Sequence, residues 1–299
     1  MQTDTASFTS GFIAVIGRPN VGKSSLTNAL VGGKVAIVSE KPQTTRNRIM
    51  GVVNGEGYQI VLLDTPGIQK PKNRLGAFME GAVARALRDI EAACVVIDGH
   101  SGVGARDQEA LFRAQHSGCP VIVALNKTDL MRTEQVQACV EAVRTIAPAA
   151  SICPVSAKTG DGLAALLAAM QKVLPEGPAY FPKEMLSDKP ESFLCCEIIR
   201  EKALQLLRDE IPHGIGVELE KFMEREDGVV EVHAVIYCER DSHKGIIIGK
   251  GGRMLKRIGS LARAEFEQFF DAKVFLSLFV KVREDWRNSP TALRELGYD

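Results

Sequence analysis

Gly17-Arg18-Pro19-Asn20-Val21-Gly22-Lys23-Ser24 stands between an apolar run, Phe12–Ile16, that reads as a strand and a helical pattern, Ser24–Val31. Glycines at both ends let the backbone wrap tightly enough for several N–H groups to point inward. The following helix adds the positive end of its dipole. This is the pattern of a phosphate-binding loop, in the strand–loop–helix setting that the chemistry needs. In that reading Lys23 reaches the β- and γ-phosphates and the Ser24 hydroxyl holds Mg²⁺. Taken alone, the stretch also fits a glycine-rich turn of purely structural use.

Outward from the loop, the first 175 residues alternate short apolar runs with helical patterns, the mark of a mostly parallel sheet covered by helices. Further strand candidates are Tyr58–Leu63, Ala93–Ile97, Pro120–Leu125 and Ile152–Val155. Helical stretches fall near Leu75–Asp89, Asp107–Ser117, Thr133–Ile146 and Gly162–Val173. Arg48–Val53 and Tyr58–Leu63 flank Asn54-Gly55-Glu56-Gly57, whose Asn-Gly start and short span predict a hairpin and hence one antiparallel edge strand.

Three later segments each follow a predicted strand. Asp64-Thr65-Pro66-Gly67 puts a carboxylate beside the metal and the Gly67 N–H near a γ-phosphate. Asn126-Lys127-Thr128-Asp129 offers a carboxylate, Asp129, that accepts from guanine N1–H and the 2-amino group together. Adenine lacks that donor pair, and an unpaired carboxylate penalises it. Asn126 orients the loop and meets the purine N7, with the Lys127 stem along the base. In Ser156-Ala157-Lys158 the Ala157 N–H is placed to donate to guanine O6. All sit at carboxyl ends of strands, where open α/β sheets bind ligands.

These four segments in this order resemble the translation-factor class of GTPases. The resemblance implies GTP and GDP with Mg²⁺, held by Gly17 through Ser24 with Ser25, by Asp64 through Gly67 with Ile68, and by the two base-recognition segments. It marks Lys41-Pro42-Gln43-Thr44-Thr45-Arg46 as the first switch loop, in which Thr45, or else Thr44, caps the metal when the γ-phosphate is present. Many GTPases place a Gln directly after Asp-x-x-Gly to orient the attacking water. Here that residue is Ile68, and Gln69 comes one place late. Either switch backbone groups position the water, or the chain is chiefly a binding switch; turnover is expected to be slow. In related GTPases with this loop sequence an Asn at the position of Asn20 helps to hold a K⁺ ion that acts like an arginine finger; otherwise Asn20 is a loop residue kept for backbone geometry. The expected catalytic set is Asn20, Lys23, Thr45, Asp64 and Gly67, with Ser24 and Thr45 on the metal.

Residues 1–174 thus form a nucleotide-binding domain. Residues 175–192 hold four of the thirteen prolines (Pro175, Pro178, Pro182, Pro190) and read as a stiff linker. Residues 193–299 form a smaller α+β unit: helix Phe193–Glu210, strands Ile215–Met223 and Val229–Tyr237, helix Arg253–Phe270, strand Val274–Val282. Directly before the long helix lies Gly249-Lys250-Gly251-Gly252-Arg253, a Gly-x-x-Gly turn of the kind that clamps an RNA backbone in KH domains. The order helix, strand, strand, helix, strand resembles the type II KH arrangement with a broken second helix. Charge is segregated too: Arg240–Arg263 carries seven basic residues against one acidic, whereas Glu197–Glu231 carries ten acidic and five basic. Phosphate contacts require such a local excess. The expected RNA contacts are Lys244, Gly249, Lys250, Gly251, Gly252, Arg253, Lys256 and Arg257, with His243 the best histidine candidate.

With Gly11-Phe12-Ile13-Ala14, Pro42 to Arg46, Glu197 to Lys202, Ile211-Pro212-His213, Val280-Lys281-Val282 and Leu293 to Tyr298, the whole chain resembles the Era family of bacterial GTPases with a C-terminal KH domain. That family implies binding near the 3′ end of small-subunit (16S) ribosomal RNA, assistance in assembling the 30S subunit, and peripheral association with the cell membrane. Two alternatives stay open: another bacterial GTPase whose tail is a protein-interaction module, or an RNA chaperone with little turnover. Intact Lys23, Asp64 and Asp129 argue against the second.

Composition limits the rest. Thirty-seven basic residues balance thirty-seven acidic ones in 299, so any nucleic-acid affinity comes from local clustering. The longest apolar run, Leu163–Met170, is eight residues, against roughly 20 for a bilayer span. Met1–Ser10 lacks a basic start and an apolar stretch long enough for a secretory signal. Seven scattered cysteines read as thiols in a reducing cytoplasm, and Trp286 as a packing anchor. The chain is expected to be a cytoplasmic monomer.

Overall fold

The computed structural model describes residues 8–298; most of the N-terminal stretch read above for a signal lies outside them. The chain divides into two units. In the first, β1 (Thr9–Ile16), β2 (Ile49–Gly55), β3 (Tyr58–Asp64), β4 (Ala92–Asp98), β5 (Val121–Asn126) and β6 (Ser151–Pro154) form one sheet in the order β2-β3-β1-β4-β5-β6. Only β2 runs antiparallel, paired with β3 through the hairpin at Asn54–Gly57. The other helices and strands follow the α/β alternation: α1 (Lys23–Val31), α2 (Arg74–Ala86), α3 (Ala105–Gln115), α4 (Thr133–Ile146) and α5 (Leu163–Gln171).

Strand β1 shows why its sequence is apolar throughout. Ile13 and Val15 pack with Leu26 of α1 and Leu166 and Met170 of α5, while Ala14 and Ile16 pack with Val83 of α2, Leu111 of α3 and Val143 of α4. A parallel strand covered on both faces needs apolar side chains at both parities. Helix α4 begins and ends where its pattern predicts. Helix α2 stops at Ala86, short of the expected Asp89, which sits in the left-handed region at φ +52°.

Residues 175–188 are not a free linker. They belong to the first unit and run along its sheet. Gln59, fully buried on β3, accepts the Tyr180 and Phe181 N–H groups on Oε1 (2.7 and 3.0 Å) and donates from Nε2 to the Phe181 carbonyl (2.9 Å). On the outer side of β2, the Val52 N–H donates to the Leu186 carbonyl (2.9 Å) and the Met50 N–H to Asp188 Oδ1 (3.1 Å). Prolines keep this stretch out of helix and sheet, yet backbone donors and a buried amide fix it in place.

The second unit runs from Lys189 and also takes in Ser39–Thr44 and Pro71–Phe78, two stretches assigned above to the nucleotide domain. Within it the Arg200 guanidinium donates to the Thr44 carbonyl, and Phe78 lies against Tyr298 at 6.1 Å between ring centroids. Its elements are α6 (Glu191–Leu206), β7 (Gly216–Glu224), β8 (Val230–Cys238), α7 (Asp241–Ile248), α8 (Arg253–Phe270), β9 (Val274–Val282) and α9 (Pro290–Glu295). The sheet order is β7-β8-β9, antiparallel then parallel. Val232, Ala234 and Ile236 of β8 face Ile198 and Ile199 of α6 and Ile258, Ala262 and Phe266 of α8. Helix α6 ends before the predicted Glu210, and Asp209 is left-handed (φ +54°). Trp286 is fully buried and donates from Nε1 to the Gly214 carbonyl (2.9 Å), as an anchor should. The seven cysteines are unpaired, and burial pushes the Cys94 and Cys195 thiols up to about 12, which keeps them protonated.

Candidate nucleotide and RNA sites

The loop from Gly17 to Gly22 has its carbonyls tied from outside. Lys23 Nζ donates to the Gly17 and Arg18 carbonyls (3.2 and 3.1 Å), Lys127 Nζ to the Asn20 carbonyl (2.9 Å) and Asn126 Nδ2 to the Val21 carbonyl (2.9 Å). Fixing the carbonyls fixes the peptide planes, and a loop held this way can turn its N–H groups to an anion. Gly22 opens α1 at φ +94°, and a Cβ there would lie 2.4 Å from Asn126 Nδ2. Both the conformation and the space demand glycine. Burial lowers the Lys23 ammonium to about 8, partly offset by the Asp64 charge. A polyanion arriving beside it favours the protonated form.

Three groups converge at the start of α1. Ser24 Oγ lies 2.7 Å from Thr45 Oγ1 and donates to Asp64 Oδ2 at 2.7 Å. Of the two threonines, Thr45 stands beside Ser24, whereas Thr44 Oγ1 donates to the Lys41 carbonyl (2.6 Å). Asp64 is fully buried, which raises its carboxyl to about 6 despite Lys23, and its Oδ1 has no hydrogen-bond partner. A buried carboxylate oxygen without a partner, next to two hydroxyls, fits a hydrated divalent cation. Beyond Asp64, the Ile68 N–H donates to the Gly17 carbonyl (3.1 Å), and a Cβ on Gly67 would meet Pro19 N at 2.7 Å.

At the base end, Ser156 is fully buried and donates from Oγ to Asp129 Oδ1 (2.7 Å) while accepting from the Thr159 N–H (3.2 Å). This aims the exposed carboxylate. The Ala157 N–H, expected to face guanine O6, donates here to Asn126 Oδ1 (3.0 Å). Asn126 thereby joins three segments of the site: its own, the phosphate loop and the Ser156-Ala157-Lys158 turn.

In the second unit, α7 and α8 are separated by Gly249, Lys250, Gly251 and Gly252. The three glycines have φ of +71°, +60° and +75°. Gly249 packs against Met254, whose Cβ would be 2.8 Å from an added Cβ, whereas nothing lies within 4 Å of one on Gly251 or Gly252. That is bare backbone open to a ligand. Lys250, Arg253, Lys256 and Arg257 are exposed, and Lys244 is half-buried. A groove of about 470 Å³ continues from Gly252 along Lys256, Ser260 and Arg263 of α8 to Leu276 and Leu278 of β9. His243 is partly buried, and its Nδ1 has no hydrogen-bond partner.

The family model described as a 50S ribosome-binding GTPase matches residues 12–127, and the KH domain model matches residues 210–287. GTPase Era of Ruminiclostridium cellulolyticum is 46% identical over 98% of this chain and 98% of its own, and GTPase Era of Geobacter metallireducens 47% identical over 97% and 98%. The chain belongs to the Era family of GTPases. A crystal structure of Era with MgGDPNP and nucleotides 1506–1542 of 16S ribosomal RNA superposes with a TM-score of 0.93, at 38% identity, covering 97% of this chain and 99% of that one. A point variant of Aquifex aeolicus Era bound to GDP and aluminium fluoride gives the same score and coverage.

Within this Era-family chain, sequence reasoning missed two groups of residues. Ser260, Arg263, Leu276 and Leu278 line the groove, and only Arg263 carried a signal, as part of the basic run. Asp98, Ser101 and Asp107 press on the phosphate loop from outside. Arg18 Nε donates to both oxygens of the buried Asp107 (3.1 and 3.2 Å) and its Nη2 to Ser101 Oγ, while Asp98 Oδ2 accepts from Lys127 Nζ at 2.8 Å. None of these stands in a recognisable motif.

Proposed function

We propose that this chain is a slow GTPase switch that holds small-subunit ribosomal RNA near its 3′ end through the Gly249–Arg253 loop and the groove beside it, and assists assembly of the small subunit. One observation carries the reading: an Era protein alike over nearly the whole chain was crystallised with MgGDPNP and a 16S ribosomal RNA segment together. The RNA-contacting set is Lys244, Gly249 to Arg253, Lys256 and Arg257, extended by Ser260 and Arg263.

In this reading Asp129, aimed by Ser156, selects guanine, and Lys23 with the loop N–H groups holds the phosphates. Ser24 and Thr45, with Asp64 beside them, would hold Mg²⁺, which supplies charge neutralisation to the β- and γ-phosphate oxygens. Ile68 has no group that can orient water, so that task falls to backbone groups of the switch segments. The Asn20 amide oxygen suits a weakly hydrated monovalent cation, K⁺, whose charge would lie where an arginine finger acts. The protein works as a monomer in the cytoplasm. No described helix is long and apolar enough to cross a membrane, so the family's membrane association would here be peripheral.

Crosslinking of the purified protein to total bacterial RNA, with and without GTP, tests the RNA half of the reading. Enrichment of the 3′ end of 16S RNA is expected, and recovery of no RNA refutes it. Turnover assayed with GTP and ATP tests the other half: equal rates with both would refute the guanine assignment. Flotation with anionic vesicles tests membrane association, which fails if all protein stays in the dense fraction.

A further inference from the structure

Asn20 and Lys127 are both left-handed, at φ +66° and +67°. Such a conformation is unfavourable for a residue with a side chain and persists only where neighbours hold it. One such hold on Asn20 is the hydrogen bond from Lys127 Nζ to its carbonyl. A lysine ammonium is a mobile, strongly hydrated charge, and Lys127 is one-third exposed; it stays on the loop because Asp98 Oδ2 fixes it from the other side at 2.8 Å. The Asp98 carboxylate is itself held, its Oδ1 accepting from the Ser101 N–H at 3.3 Å. Burial would raise the Asp98 carboxyl, but the hydrogen bond and charge of Lys127 outweigh it and hold the group below its usual value. It is therefore ionised at neutral pH. The same short turn grips the other flank of Pro19, because Ser101 Oγ accepts from Arg18 and donates to the Asp98 carbonyl (3.2 Å).

We propose that Asp98 is a positioning residue for the phosphate loop: acting through the Lys127 ammonium, it sets the left-handed Asn20 backbone that presents the Asn20 side chain to a monovalent cation. This rests on the reading of Asn20 given above. It assigns the ammonium of Lys127 a task separate from that of its stem beside the base. A guanine-recognition segment and an otherwise unmarked strand end are thereby joined to the hydrolytic end of the site.

Two readouts test it, each taken in K⁺ and in Na⁺ at equal ionic strength: single-turnover hydrolysis, and affinity for GDP with aluminium fluoride. In Asp98→Asn the K⁺ advantage is expected to fall by about tenfold in both readouts, a larger change than in the affinity for GDP alone, which a loosened loop also lowers. Asp98→Glu keeps the charge and is expected to keep most of the advantage. In an Asn20→Ala background, Asp98→Asn should take away nothing further, as a shared route requires. An undiminished K⁺ advantage in Asp98→Asn overturns the proposal. So does an equal loss of GDP affinity and rate with the advantage intact, which would mark a merely structural contact, and so does a Glu variant as impaired as the Asn one. Should Asn20→Ala itself keep the K⁺ advantage, the cation reading falls. Asp98 is then judged by its GDP–aluminium fluoride affinity alone, and wild-type affinity there overturns its positioning role as well.

Discussion

Asp129→Asn exchanges one carboxylate oxygen for an NH₂ group, and the structure says which way the new amide will face. Ser156 Oγ accepts from the Thr159 N–H and donates its only proton to Asp129 Oδ1. In the variant that proton still needs an acceptor, so the amide oxygen keeps the Ser156 side and the NH₂ turns to the base. Guanine N1–H and its 2-amino group then meet a donor in place of a carboxylate. Two charge-assisted bonds are lost at about 1.5–3 kcal/mol each, or about 3–6 kcal/mol together, which is roughly 10²–10⁴ in affinity. The 2-oxo group of xanthine accepts where guanine donates, so XDP should gain. Titration calorimetry with GDP and XDP measures both. A variant that binds GDP within about threefold of the parent would show that Asp129 does not read the base. A variant that loses GDP without gaining XDP would show that Ser156 does not set the amide's direction.

Three more outcomes follow from the geometry. Lys250→Asp with Gly251→Asp puts two carboxylates and a Cβ onto bare left-handed backbone, and should weaken RNA binding by about 10² or more while leaving GDP affinity unchanged; Lys250→Gln should lower the salt slope by about one. Filter binding at two salt concentrations decides it, and wild-type RNA affinity in the double variant moves the RNA site elsewhere. Burial raises the Asp64 carboxyl from 3.8 to about 6, so its contribution to stability is full below about pH 4 and is lost as pH rises through 6. In urea titrations without nucleotide, the wild type should therefore lose about 2 kcal/mol relative to Asp64→Asn between pH 4 and 6.5, and parallel pH profiles would contradict the raised value. Gln59→Leu strands the Tyr180 and Phe181 N–H groups and should cost about 2–4 kcal/mol, with protease cuts appearing between residues 175 and 188. A loss under about 1 kcal/mol would mean that water replaces the amide without penalty.

The segments that converge around Gly17–Ser24 were legible because each motif is local: its residues stand beside one another in the chain, at strand ends that periodicity locates. The mostly parallel character of the sheet followed for the same reason, with the hairpin at Asn54–Gly57 supplying the one antiparallel edge strand. What stayed hidden depends on partners far apart. Asp98 meets Lys127 and Asp107 meets Arg18 only once β1, β4 and β5 lie side by side, and a lone aspartate carries no sign of such a partner. The hydrogen bond from the Ala157 N–H to Asn126 Oδ1 is of the same kind, since it joins turns thirty-one residues apart. Residues 175–188 read as linker since prolines abolish every period, while the amide that secures them sits more than a hundred positions earlier, at Gln59.

The covering of β2 by residues 183–188 bears on how this domain survives on its own. An uncovered edge strand is a template on which another chain can extend the sheet. Here the outward N–H groups of Met50 and Val52 are already taken by Asp188 and Leu186, and Asn54 Nδ2 donates to the Lys183 carbonyl at 2.9 Å. The stretch that leads out of the nucleotide domain therefore doubles as its guard against self-association. A fragment ending at Leu174, where the last helix of the α/β alternation is complete, would expose that template and clump at concentrations where a fragment ending at Asp188 stays dispersed.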